Sequence, residues 1–194
     1  MRGPSVGGSS DFDLNPGAVA SLPQGRRLRP AAVLCGVTER ADGLFVMLTR
    51  RAAGLKHHGG QVAFPGGKID TSDPSPLAAA LREAEEEIGL PARDVDILGP
   101  IDGHETVTGF SITPYVGIVA PGFTAVPECG EVDEVFEVPL DFVMDPANHR
   151  RGARDWNGEA RYFYEMPWGR HYIWGATARI LKGLSLRLAA LGRG

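Results

Sequence analysis

A chain of 194 residues, 43% of them hydrophobic and 23% charged, carries enough apolar content for one domain to bury its own core. A net charge of -4 and an isoelectric point near 5.7 supply no basic field that would concentrate nucleic acid or an anionic membrane, so any phosphate ligand must be held by local arrangement. Two cysteines without a CxxC pair, and no apolar run of signal-peptide or membrane-spanning length, argue against a disulfide framework, secretion and membrane insertion, and fit a reducing cytoplasm.

Residues 1–28 are rich in Gly, Ser and Pro and read as a flexible lead-in, leaving residues 29–194 as the folded domain. "AAVLCGVT" and "LFVMLT" then read as buried strands joined by "ERADG", whose Asp42-Gly43 pair signals a hairpin, and Cys35 reads as a buried strand residue. "QVAFPGG" is a short strand broken by Pro65 and two glycines. Ser75 followed by Pro76 opens a helix of about four turns, and Gly89 followed by Pro91 closes it. Downstream, "VDILGPI", "ITPYVGIVA", "EVFEVP" and "RYFYEM" read as strands, "LDFVMD" as a short helix, and residues 176–191 as an amphipathic final helix. Strands of mixed connection with helices packed over them make an α/β layered domain.

The helix over 75–89 carries an unusual load of charge. At about 100° per residue, Leu77, Leu81, Ala84 and Ile88 share one stripe, which is predicted to face the core. Glu83, Glu86 and Glu87 gather on another face beyond the small Ala79 and Ala80, while Glu85 points elsewhere. Three carboxylates at i, i+3 and i+4 repel one another near the negative end of the helix dipole, which a helix shaped only for stability would avoid. Oxygen-only ligands beside small side chains suit a hard divalent cation such as Mg2+ or Mn2+, and the glycines of "FPGG" allow a backbone carbonyl to approach the same place.

"GGKIDTSDPSPLAAALREAEEEIGL" resembles the Nudix hydrolase signature, in which a glycine, an acidic residue six positions on and an R-E-U-x-E-E-x-G-U run (U aliphatic) form a loop, a helix and a loop. Arg82, Glu83, Ala84, Glu86, Glu87, Gly89 and Leu90 fall on that run. Two features depart from it: the acidic position is Asp73 rather than Glu, and the gap from it to Arg82 is one residue longer. Immediately upstream, "LTRRAAGLKHHGGQVAFPGG" resembles the signature of the coenzyme A pyrophosphatase branch at Leu48, Thr49, Arg51, Ala52, Lys56, Gly60, Phe64, Pro65, Gly66 and Gly67.

The resemblance implies a Nudix-type α/β/α sandwich with a mixed sheet, and metal-dependent hydrolysis of the pyrophosphate in coenzyme A or a derivative. The products would be 4'-phosphopantetheine and adenosine 3',5'-bisphosphate. It implies Glu83 and Glu87 as metal ligands, Glu86 as a further ligand or acceptor, the Gly67 carbonyl in the inner shell, Arg82 as the residue that orients the carboxylates, and Glu131 as a remote carboxylate. Arg51 and Lys56 are the candidate cations for the 3'-phosphate of the substrate. Asp73 is expected to support the turn or Arg82 rather than to hold metal. His57 and His58 read as loop surface, and Phe163 and Trp174 as either core or part of a pocket for adenine or pantetheine. The alternative substrate is another nucleoside diphosphate derivative such as NADH or ADP-ribose.

Overall fold

The computed structural model describes residues 8–22, 25–156 and 158–192. The apolar runs form a mixed sheet of β1 (Ser9–Ser10), β2 (Arg29–Arg40), β3 (Gly43–Arg51), β4 (Val62–Ala63), β5 (Gly66–Lys68), β6 (Val95–Pro100), β7 (His104–Glu105), β8 (Phe110–Val119) and β9 (Val132–Pro139). The long β2 is its axis. It pairs in parallel with β8 along Arg29–Thr38 and antiparallel with β3, through a two-residue turn at the predicted hairpin that sets Arg40 opposite Gly43. The short β5 adds antiparallel to Ala31–Val33, and β3 carries β4 and β9. A second, antiparallel sheet of β10 (Arg150–Trp156), β11 (Glu159–Trp168) and β12 (His171–Trp174) precedes the last helix.

Period-two alternation along β2 sorts its side chains between two layers. Cys35 and Val37 point into a core with Val46, Leu48 and Val138 of the sheet, Met166 and Ile173 of the second sheet, and Ile180, Leu181 and Leu184 of α3 (Gly175–Leu191). Leu34 points the other way, toward Met47, Val119 and the Ala84 and Ile88 of α1 (Pro76–Ile88). The short α2 (Leu140–Met144) packs against α3. The result is the α/β layered domain that the sequence pattern predicts, in the form of the α/β/α sandwich with a mixed sheet that the resemblance implies.

Three expectations are corrected. The first concerns the helix wheel: Ala84 and Ile88 of the predicted stripe are buried and Leu81 packs beside them, but Leu77 is only half-buried and Ala79, Ala80 and Glu87, outside the stripe, are buried. The helix is rolled so that Ala79 and Ala80 lie on Ala32 of β2, because only small side chains permit so close an approach to the sheet. The second concerns the lead-in, whose residues 8–22 are docked: β1 pairs with β7, Phe12 is buried, and Asn15 exchanges two hydrogen bonds of 2.8 Å with the Tyr162 backbone. His104, buried at the end of this seam, bonds Ser9 Oγ at 2.9 Å and Asp11 at 3.1 Å. Such docking relies on polar side chains without periodicity, so composition does not reveal it. Residues 1–7, 23 and 24 of the expected lead-in lie outside the described residues. The third is the second sheet, where β10 and β12 flank the single strand expected there. β10 is mostly exposed and carries three arginines, so its sequence lacks the apolar alternation of a strand.

Candidate active site

The helix that carries the carboxylates is bounded as its sequence predicts. Ser75 Oγ accepts from Ala78 N–H at 3.2 Å, Pro76 occupies the first turn, and Gly89 closes the helix in the left-handed region at φ 68°. The glutamates then grade from inside to outside. Glu87 is 3% exposed, Glu83 19% and Glu86 58%.

Two glycines make the inner wall. Gly66 takes φ 146°, and a Cβ there would lie 2.5 Å from the Ala32 carbonyl oxygen and 2.6 Å from the Val33 Cα, so no other residue lets β5 pass so close to β2. At Gly67 the obstacle would be Glu83, whose carboxylate lies 2.5 Å from the position of a Cβ. The glycine turn therefore serves as a cradle for the Glu83 carboxylate. Gly66 N–H also donates to Glu87 Oε2 at 3.1 Å.

Two arginines divide the carboxylates between them. Arg82 grips Asp73 through Nε and Nη2, both at 3.0 Å, and reaches Glu83 at 3.0 Å and Glu86 at 2.9 Å through Nη1. Asp73 also accepts from Asp70 N–H at 2.8 Å, so it braces the turn and Arg82 as expected. The Arg82 fork and that N–H hold the Asp73 carboxyl below its ordinary value, and the Asp73 carboxylate in turn raises Arg82. Arg51, at the end of β3, donates to Glu87 Oε1 at 3.0 Å. It is thereby turned toward the helix.

Burial is the main reason that Glu87 is pushed up to about 7, with the Glu83 charge adding to it and Gly66 N–H and Arg51 opposing it. Burial also raises Glu83, with Glu86 and Glu131 contributing repulsion and Arg82 working against it. Glu131 is exposed and reaches the site through its loop. That loop is pinned to the end of α1 by Val126 N–H to the Ile88 carbonyl and Glu128 N–H to the Glu87 carbonyl, each 2.9 Å, and Glu131 itself accepts from Ala52 N–H at 2.8 Å. Lys56, His57 and His58 are exposed on the loop between β3 and β4. Phe163 and Trp174 are half-buried against each other, 5.2 Å between ring centroids, on the second sheet.

Among the described residues, no three Asp, Glu, His or Cys side chains form a ready-made cation cage. The donor set nonetheless fits a hard divalent cation. Glu83 and Glu87 offer oxygens on one helix face and the glycine cradle brings backbone against Glu83; burial raises both carboxyls, with repulsion from Glu83 adding at Glu87 and from Glu86 and Glu131 at Glu83, a penalty on negative charge that a cation would relieve. Neither the Arg51 to Glu87 contact nor the Gly66 donor is legible in the sequence. No local signal marks the first, because its partners are 36 residues apart.

A helix bearing clustered carboxylates against a glycine turn, within an α/β/α sandwich, makes a face whose donors suit a hard cation. The NUDIX domain model matches residues 27–157, and the chain belongs to the Nudix family of hydrolases. It is 44% identical to the uncharacterized Nudix hydrolase NudL of Cronobacter sakazakii, over 82% of this chain and 83% of that one, and 42% identical to its Citrobacter koseri counterpart over the same shares. Among solved structures it is similar to a MutT/nudix family protein from Enterococcus faecalis, with a TM-score of 0.51 at 16% identity over 88% of this chain and 70% of that one, a likeness of fold.

Proposed function

We propose that this Nudix hydrolase cleaves the pyrophosphate of coenzyme A or one of its derivatives, releasing 4'-phosphopantetheine and adenosine 3',5'-bisphosphate. The observation that supports the reading is the position of the segment from Leu48 to Gly67. The stretch that resembles the coenzyme A branch is the wall of the site: its Arg51 pairs with Glu87, its Gly66 donates to the same carboxylate, and its Gly67 cradles Glu83.

In this reading Glu83, Glu87 and the Gly67 carbonyl would hold Mg2+ or Mn2+, with Glu86 as an outer acceptor. Such a cation, when bound, supplies charge neutralisation for the pyrophosphate and acidifies a water. Arg82 locks Glu83 and Glu86 against Asp73, which fixes the carboxylate face before substrate arrives. Glu131, on a loop pinned to the end of the helix, adds negative charge beside Glu83 and can accept a proton from an attacking water. Lys56 stands on the exposed loop leading into the glycine turn, where an ammonium can meet the 3'-phosphate.

Product analysis by mass spectrometry, after incubation of the protein with coenzyme A and Mg2+ or Mn2+, tests the reading. Release of both named products faster than the turnover of NADH or ADP-ribose is the expected outcome. Faster turnover of either alternative would move the assignment to another nucleoside diphosphate derivative.

A further inference from the structure

Arg82 lies on the same helix as the carboxylates, yet its bonds go to Asp73, Glu83, Glu86 and the Lys68 carbonyl and not to Glu87. Glu87, the most buried of the group, has its one ion pair among the described residues with Arg51, from the end of β3. The pairing is two-sided: Arg51 Nη1 takes Oε1 at 3.0 Å and Gly66 N–H takes Oε2 at 3.1 Å. A carboxylate held at both oxygens cannot rotate about its last bond. Each oxygen still keeps lone-pair capacity for a cation.

We propose that Arg51 is a positioning residue, which fixes the Glu87 carboxylate and so sets the divalent-cation affinity of the site, and that it does not read substrate. The proposal rests on the reading of Glu83 and Glu87 as cation ligands. Its physical ground is the difference between the two Glu87 oxygens. The backbone of β5, held against β2 by Gly66, supplies one donor from the main chain, and Arg51 is the side chain that bonds the other oxygen. The guanidinium also suits this duty, because its planar fork keeps its direction where a lysine ammonium on a flexible stem would not. Arg51 is itself 26% exposed against 3% for Glu87, so it bridges the solvent boundary and the buried carboxylate. The neighbouring Arg50 turns elsewhere, to Glu134 at 3.4 Å, and cannot substitute.

The test measures Mn2+ binding by electron paramagnetic resonance of free Mn2+ in wild-type protein, Arg51→Met and Arg51→Lys, with kcat and KM on coenzyme A at saturating Mn2+. Partners that orient a metal ligand typically change metal affinity by about 10- to 100-fold when removed. Arg51→Met should therefore raise the Mn2+ Kd by about that factor, with Arg51→Lys between it and wild type, and KM at saturating Mn2+ should stay within about twofold. An unchanged Mn2+ Kd with a raised KM would make Arg51 a substrate contact and overturn the proposal. Thermal unfolding of Arg51→Met, Glu87→Gln and the double variant adds a readout without metal. Arg51→Met should lower Tm in the wild-type background and much less beside Glu87→Gln, and equal losses in both backgrounds would count against the pairing. If wild-type protein itself does not bind Mn2+, the cation reading fails and the proposal with it. If wild type binds and Arg51→Met binds equally well, the proposal fails alone.

Discussion

On the α3 face of the central sheet, Cys35, Val37, Leu48 and Val138 meet Met166, Ile173, Ile180, Leu181 and Leu184 in a core made of apolar side chains. On the α1 face the space is shared: Leu34, Met47, Val119 and Ile88 pack beside alanines, a glycine turn and the buried carboxylate of Glu87. The first arrangement converts buried area directly into stability. The second gives up some of that area so that a charged group can sit where water is scarce and its orientation is held by Arg51 and Gly66. One sheet thus separates the apolar layer that mainly holds the fold from the layer that carries the site, and a truncation in the α3 layer should report on the fold alone.

Leu181→Ala should have the largest effect on the fold. Leu181 is fully buried in the α3 layer, and truncation of such a leucine costs about 2–5 kcal/mol, the spread depending on how far the cavity collapses. Chemical denaturation would measure the loss, while kcat and KM of the folded fraction should stay close to wild type. A selective loss of kcat would show that the two faces are coupled.

Glu87→Gln should reverse the pattern. Turnover falls by at least about 10²-fold, because an interaction realised mainly in the transition state is removed, while the protein stays folded. Near-wild-type turnover at saturating divalent cation would exclude Glu87 from the site.

Asp73→Asn is expected to lower activity and Tm together, because Asp73 holds Arg82 and Arg82 holds Glu83 and Glu86. The pH dependence has a definite sign. The Asp73 carboxyl lies below its ordinary value of 3.8 in the folded protein, so its contribution is present above that value and is lost as pH falls through the folded one. The Tm gap between wild type and Asp73→Asn should accordingly be full at pH 6 and shrink below about pH 4. A gap that did not narrow in acid would assign the effect to the turn geometry rather than to the carboxylate charge.

Glu85→Gln should do least. Glu85 is exposed and points away from the carboxylate cluster, so stability should move by no more than about 0.5 kcal/mol and turnover hardly at all. A clear loss of turnover would mean that the acidic face extends further round the helix than Glu83, Glu86 and Glu87.

Much of the fold is written in local pattern. The runs of β2 and β3, their hairpin and the caps of α1 at Ser75 and Gly89 follow from periodicity and from the conformational limits of single residues, which act within a few positions along the chain. The grouping of Glu83, Glu86 and Glu87 is legible for the same reason, since helical geometry fixes which side chains share a face. Tertiary structure decided how that face is divided. The wheel treats the three glutamates alike, whereas the roll of α1 onto Ala32 buries Glu87, half-buries Glu83 and leaves Glu86 in solvent. The same holds for Arg51, whose place in a motif marks it as a cation near the site but not which partner it meets. Contact with Glu87 depends on β3 and α1 being brought together across the sheet, and a pairing between residues so far apart in sequence leaves no trace in any local pattern. The docking of residues 8–22 through Ser9, Asp11 and His104 is of that kind as well, because hydrogen bonds between distant polar side chains carry no periodicity to be read in advance.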